Sequence, residues 1–222
     1  MYPVERRLTH TMTINLRQSI TGLYAITDPY LIPDERLIGA CEAVLEGGCR
    51  LLQYRDKQAS PQQKYNRASA LRALCDRYNA VFIINDDIAL AKQTRADGVH
   101  LGQSDANITI ARQALGNDAI IGITCHNDIT LARQAQNAGA NYAAFGRFFP
   151  SKTKPHASSA TLDVITQAKC VLDIPIVAIG GITLDNVSQV VNHGADCVAV
   201  VEGLFASSNL VTRAQQWLTA LR

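Results

Sequence analysis

Cys49-Arg50-Leu51-Leu52-Gln53-Tyr54-Arg55-Asp56-Lys57 is a short apolar run that turns cationic at its C-terminal end. A near-continuous apolar run of this length reads as a strand in a parallel sheet covered on both faces. Working outward, similar runs occur at Leu23–Thr27, Val81–Asn85, Gly98–Leu101, Ile120–Thr124, Tyr142–Phe145, Pro175–Ile179 and Cys197–Val201, making eight with Cys49–Tyr54. Between them, Glu35–Glu46, Gln62–Tyr78, Asp128–Ala138, Leu162–Leu172 and Asn186–Asn192 carry apolar residues at three- and four-residue spacing, and Ala206–Leu221 closes the series. Strand and helix alternating eight times predict an α/β protein, a closed (β/α)8 TIM barrel.

The rival topology is an open, doubly wound sheet, which gathers its site at one switch point. The polar residues decide between them. Asp28, Gln53–Lys57, Asn85-Asp86, Asp105, Thr124, Ser151–Lys154, Gly180-Gly181 and Glu202-Gly203 stand at or just past the ends of nearly every run, and no such series follows the helices. That distribution is the mouth of a barrel, where loops after the strands carry the chemistry.

With 222 residues, 47% hydrophobic and 18% charged, the chain can bury one large core, and a tail over 1–21 followed by a single catalytic domain over 22–222 is expected. A net charge of +2 is too small to indicate nucleic-acid or general membrane-surface binding, so any anion is bound locally; homo-oligomer formation is left open. Six cysteines lack metal-site spacing, and the first 20 residues mix charges through the apolar ones without a signal segment. Reduced, mostly buried thiols and a cytoplasmic location are expected.

Side chains alternate along a strand, so Gln53, Arg55 and Lys57 should share one face, and a guanidinium beside an ammonium suits a polyanion. A solvated strand end with surface ion pairs is the plainer alternative. Asp86 and Asp105, from adjacent loops, suit a hard divalent ion that keeps several waters and shares a substrate phosphate, making Mg²⁺ the candidate cofactor. Each is equally well explained alone as a helix cap, Asp86 or Asp87 for one helix and Asp105 for a helix from Asn107. Ser151, Lys152, Thr153 and Lys154 form a polar loop able to bind carboxylate or phosphate, or a plain surface loop. Gly180-Gly181, with Val201, Glu202 and Gly203, lies where barrels of this kind often bind phosphate; a tight structural turn is the alternative. His100, His126 and His156 have no ligand spacing and are assigned to core or surface. No P-loop, G-x-G-x-x-G or Ser-His-Asp pattern occurs, which removes most weight from nicotinamide chemistry and nucleophilic hydrolysis.

Gly22-Leu23-Tyr24-Ala25-Ile26-Thr27-Asp28, Gln53-x-Arg55-x-Lys57, Asn85-Asp86, Gly98-Val99-His100-Leu101-Gly102-Gln103-x-Asp105, Ser151-x-Thr153-Lys154 and Ile179-Gly180-Gly181-Ile182, in that order, resemble the thiamine-phosphate synthase family. The resemblance implies a transferase that joins a hydroxymethylpyrimidine diphosphate to a thiazole phosphate, or its carboxylated tautomer with loss of CO₂, releasing pyrophosphate. It implies that Gln53, Tyr54, Arg55, Asp56, Lys57, Asn85, Thr124 and Lys154 meet the pyrimidine diphosphate, with Arg55, Lys57, Thr124 and Lys154 in catalytic roles. Ser151, Lys152 and Thr153 would meet the thiazole, Gly181, Val201 and Glu202 its phosphate, and Asp86 with Asp105 would hold Mg²⁺. Thr124, Ser151 and Glu202 depart from the residues more usual there; the first two keep a hydroxyl, and Glu202 replaces a serine with a carboxylate. A thiazole tautomerase-like barrel and a non-catalytic thiamine-phosphate binder are the alternatives.

Overall fold

The computed structural model describes residues 19–104, 107–150 and 158–222. Eight strands, β1 (Gly22–Ile26), β2 (Leu51–Tyr54), β3 (Val81–Asn85), β4 (Gly98–Leu101), β5 (Ile120–His126), β6 (Tyr142–Phe145), β7 (Ile176–Ile179) and β8 (Cys197–Val200), form a closed barrel in chain order. Every neighbouring pair is parallel, including β1 with β8, so the open-sheet topology is excluded.

Among the described residues the α-helices that follow β1 are α1 (Leu37–Glu46), α2 (Pro61–Arg77), α3 (Ile88–Thr94), α4 (Ile108–Leu115), α5 (Ile129–Asn137), α6 (Asp163–Val171), α7 (Val187–Asn192), α8 (Glu202–Phe205) and α9 (Leu210–Ala220). Local chemistry sets their starts. Ser60 accepts from the Gln63 amide and the Gln63 side chain answers the Ser60 amide, a capping box with Pro61 at the first helical position. Asp87 caps α3 by accepting from the Leu90 amide, and Asn107 caps α4 by accepting from the amides of Thr109 and Ile110. The expected helix Ala206–Leu221 starts later: α8 ends at Phe205, and Asn209 caps a separate α9.

Period-two alternation along the strands sorts the side chains into two cores. Tyr24, Leu51, Ile83, Ile120, Tyr142, Val177, Cys197 and Ala199 fill the barrel interior. Leu23, Leu52, Phe82, Val99, Ile121, Ala143 and Val198 face the helices. All six cysteines are free, and all but Cys170 are buried, as small apolar residues should be. Among the described residues no helix is long and apolar enough to cross a membrane.

Candidate active site

The β2 end divides its residues between two sides. Gln53 points into the barrel, 2% exposed, and its Nε2 donates to the Tyr24 hydroxyl at 2.7 Å. Tyr54 faces the helix layer, where its hydroxyl lies beside the Arg67 guanidinium without a well-formed hydrogen bond, and burial pushes its pKa up to about 12. Asp56 also turns toward α2: its carboxylate takes the Arg67 Nη1 at 2.7 Å and accepts from the amides of Gln58 and Ala59. Tyr54 and Asp56 thus stand behind the loop, while Gln53 stands in front.

Arg55 continues the strand through a side chain. Its amide donates to Thr27 Oγ1 at 2.9 Å, and its guanidinium leans toward Asp28, 3.8 Å away. Arg55 Nε is buried with no partner among the described residues. A guanidinium so loosely held keeps donors for an anion. Lys57 reaches across to β3, placing Nζ 2.9 Å from Asp86 Oδ2 in an ion pair whose lysine is largely exposed. Exposed pairs of this kind are weak enough to reopen for a more highly charged partner.

Asp86 is built to face that cation. Its backbone is left-handed, φ +62°, a conformation asparagine and aspartate tolerate best among residues with a side chain. Its amide donates to the His100 carbonyl at 2.8 Å, which ties the turn to β4, and Asn85 Nδ2 donates to its carboxylate at 2.6 Å. Since Asp87 does the helix capping, Asp86 is left for the mouth. Asp105 lies outside the described residues, as do Ser151, Lys152, Thr153, Lys154 and His156. Among the described residues no three His, Cys, Asp or Glu side chains converge on a metal site.

Thr124, on β5, sits at one end of a hydrogen-bonded chain across the barrel interior. Its Oγ1 is 2.9 Å from His100 Nε2; His100 Nδ1 is 2.9 Å from the Tyr142 hydroxyl; that hydroxyl is 3.0 Å from the Tyr24 hydroxyl, which Gln53 reaches from the far side. Tyr24, Tyr142 and His100 were not singled out as site residues from the sequence. The available signal was their inward parity: polar atoms on the barrel face of apolar strands must find partners there.

On the opposite rim, Gly181 has φ +66°, and a Cβ there would lie 2.3 Å from the Pro150 carbonyl oxygen, so the Gly-Gly turn packs directly under the loop after β6. Asn186 Nδ2 donates to the Gly181 carbonyl at 3.1 Å. Val201 stands just before α8, which begins at Glu202, so the amides of Glu202 and Gly203 lie in its first turn, without intrahelical acceptors. Glu202 and Arg213 line one cavity of about 300 Å³ with Thr183, Asp185 and Ser207.

A closed parallel barrel with a cationic strand end, a partnered carboxylate and a glycine turn gathered at the C-terminal ends of its strands has the architecture of a (β/α)8-barrel enzyme. A sequence model of thiamine monophosphate synthase matches residues 23–204, and the chain belongs to that family. It is 57% identical over 188 residues to a thiamine-phosphate synthase of Alcanivorax borkumensis, covering 85% of this chain and 87% of that one. It is 50% identical to the thiamine-phosphate synthase of Methylobacillus flagellatus, covering 93% and 98%. A solved thiamine phosphate pyrophosphorylase from Pyrococcus furiosus superposes with a TM-score of 0.84 at 31% identity, covering 93% of this chain and 98% of that one.

Proposed function

We propose that this chain condenses 4-amino-2-methyl-5-(diphosphooxymethyl)pyrimidine with thiazole phosphate, or its carboxylated form, to give thiamine monophosphate and pyrophosphate. The observation that carries the reading is the 2.9 Å ion pair between Lys57 and Asp86, which joins the cationic end of β2 to the acidic end of β3 at the barrel mouth. Family membership supports it.

On this reading Arg55, Lys57 and Lys154 bind the diphosphate, Gln53, Asn85 and Thr124 face the pyrimidine, and Tyr54 and Asp56 hold the loop from behind. Ser151, Lys152 and Thr153 meet the thiazole. Gly181, Val201 and Glu202 seat its phosphate, chiefly through backbone amides at the start of α8. Residues 22–222 act as one catalytic domain.

Asp86 fits a divalent ion: a half-buried carboxylate at the mouth, beside the cation assigned to the same diphosphate. With Asp105 it would offer two charged oxygens and leave the remaining positions to phosphate and water, which suits Mg²⁺ better than an all-protein cage. Held by Asp86 and Asp105, such an ion would supply positive charge against the negative charge developing on the departing pyrophosphate. Arg55, Lys57 and Lys154 stabilise the same charge, and the amino-pyrimidine ring stabilises the cation left on its CH₂ until the thiazole nitrogen attacks. No protein nucleophile is needed.

The test is pyrophosphate release from the two purified substrates with Mg²⁺. Release only when both are present supports the reading. Tautomer conversion without pyrophosphate would mark a thiazole tautomerase, and tight thiamine-phosphate binding without turnover a non-catalytic binder; either would overturn it.

A further inference from the structure

The five-residue chain inside the barrel has a direction. Gln53 Nε2 can only donate, so the Tyr24 hydroxyl accepts from it and spends its single hydrogen on Tyr142. The Tyr142 hydroxyl, accepting from Tyr24, passes its own hydrogen to His100 Nδ1. An imidazole that accepts at Nδ1 carries its hydrogen at Nε2, and so donates to Thr124 Oγ1. The Thr124 hydroxyl, already an acceptor, turns its hydrogen outward. At the other end Gln53, having committed its Nε2 as a donor, keeps Oε1 as its acceptor.

The seat is built for these rings. Any Cβ at residue 122 would lie 1.9 Å from Tyr142 Cζ, so Gly122 is what admits the phenol. Tyr142 stacks on His100 at 5.5 Å and meets Tyr24 edge-on at 6.1 Å. Burial raises the pKa of both phenols, which keeps their hydrogens in place.

We infer that Tyr24, Tyr142 and His100 are positioning residues that fix Gln53 as a hydrogen-bond acceptor and Thr124 as a donor, so that the site selects a ring bearing an amino group near a ring nitrogen and rejects its oxo analogue. The selection rests on the function proposed above, because it takes Gln53 and Thr124 to face the pyrimidine. An oxo ring would set a carbonyl against Gln53 Oε1 and a ring N–H against the Thr124 hydrogen. Polar mismatches of this kind are rejected far more strongly than missing methylenes.

Two measurements test it. In the full chain, ¹⁵N–¹H correlation of the histidine rings, with His100 assigned by the loss of its signals in His100→Gln, should show the neutral Nε2–H tautomer. The Nδ1–H tautomer or a doubly protonated ring at neutral pH would overturn the chain's polarity, whatever the enzyme catalyses. Calorimetric Kd values for the amino- and oxo-pyrimidine diphosphates should then show the ratio of the two falling at least tenfold in Tyr142→Phe, which keeps the ring and removes the hydroxyl. Tyr24→Phe, which leaves the Gln53 amide free to turn, should act likewise. A merely structural role would lower the melting temperature and leave the ratio where it was, and an unchanged ratio in a folded variant would overturn the inference. If wild type binds the aminopyrimidine but releases no pyrophosphate, the catalytic reading fails while the selectivity result stands on its own.

Discussion

Arg55 and Asp86 concentrate the electrostatics of the mouth, and single substitutions there should separate the two substrates. Arg55→Ala removes a guanidinium held only loosely by Asp28 at 3.8 Å, so little native structure depends on it. It should raise the KM for the pyrimidine diphosphate at least tenfold and leave that for thiazole phosphate within threefold; equal losses would move Arg55 out of the diphosphate site. Asp86→Asn and Asp105→Asn should each lower turnover sharply and raise the Mg²⁺ needed for half-maximal rate, read from a magnesium titration; full activity at sub-millimolar Mg²⁺ contradicts the metal assignment. Glu202 poses the opposite problem. A carboxylate about 6 Å from a phosphate charge would cost on the order of 3 kcal/mol at an effective dielectric of about 20, so the side chain must be turned away or paired. It shares a cavity with Arg213. Glu202→Ser should leave the KM for thiazole phosphate within a few-fold of wild type or lower it, and a more than tenfold rise would give the carboxylate a binding role. At this scale the sequence shows residue types but not which of two neighbours does what: Asp86 and Asp87 are chemically identical, and only the backbone, left-handed at Asp86 and capping at Asp87, divides the mouth from the helix.

Among the elements, the β2–α2 loop depends on one residue beneath it. Arg67, from α2, holds the nearly buried Asp56 at 2.7 Å and also bonds Asp34, tying the loops after β1 and β2 together. Arg67→Ala strands the Asp56 carboxylate and should cost about 3 kcal/mol, read by urea denaturation, with a higher KM for the pyrimidine diphosphate. The hydrogen bond from Arg67 also holds the Asp34 carboxyl below its ordinary 3.8. Stability from a depressed carboxyl is complete above the unfolded value and lost as pH falls through the folded one, so this contribution fades below about pH 3.8 and should be absent from the acid limb of the Arg67→Ala profile. Strand positions were legible because a two-face-buried strand needs a continuous apolar run. α3 and α4, of 7 and 8 residues, were not among the periodic stretches, and length alone does not explain it, since α7, of 6 residues, falls in the stretch Asn186–Asn192. The break between α8 and α9 shows in the sequence only as Ser207-Ser208-Asn209, capping residues inside an otherwise periodic stretch.

For the whole molecule, alternation repeated eight times made the barrel readable, since a strand-and-helix series of that length has few ways to cover every apolar face. The interior chain was not readable: Tyr24 and Tyr142 meet across 118 residues, and only closure of the barrel brings β1, β2, β4, β5 and β6 to one axis. The same closure governs the thiols. Burial raises the Cys41, Cys49 and Cys197 thiols and pushes Cys75 and Cys125 up to about 12, while Cys170 alone is exposed. A thiol-specific reagent at pH 8 should modify one cysteine in the native chain and six after denaturation; rapid native modification of more than one would show a looser barrel.

The most direct measurement follows pyrophosphate and thiamine monophosphate together, from the two substrates and Mg²⁺, in wild type and in Lys57→Ala. Lys57 is largely exposed and its ion pair with Asp86 is a weak one, so its removal should leave the fold intact. Wild type should form the two products one to one, and Lys57→Ala should do so at least tenfold more slowly at equal melting temperature. Absence of both products in wild type, or full activity in Lys57→Ala, would contradict a diphosphate-transferring site at this barrel mouth.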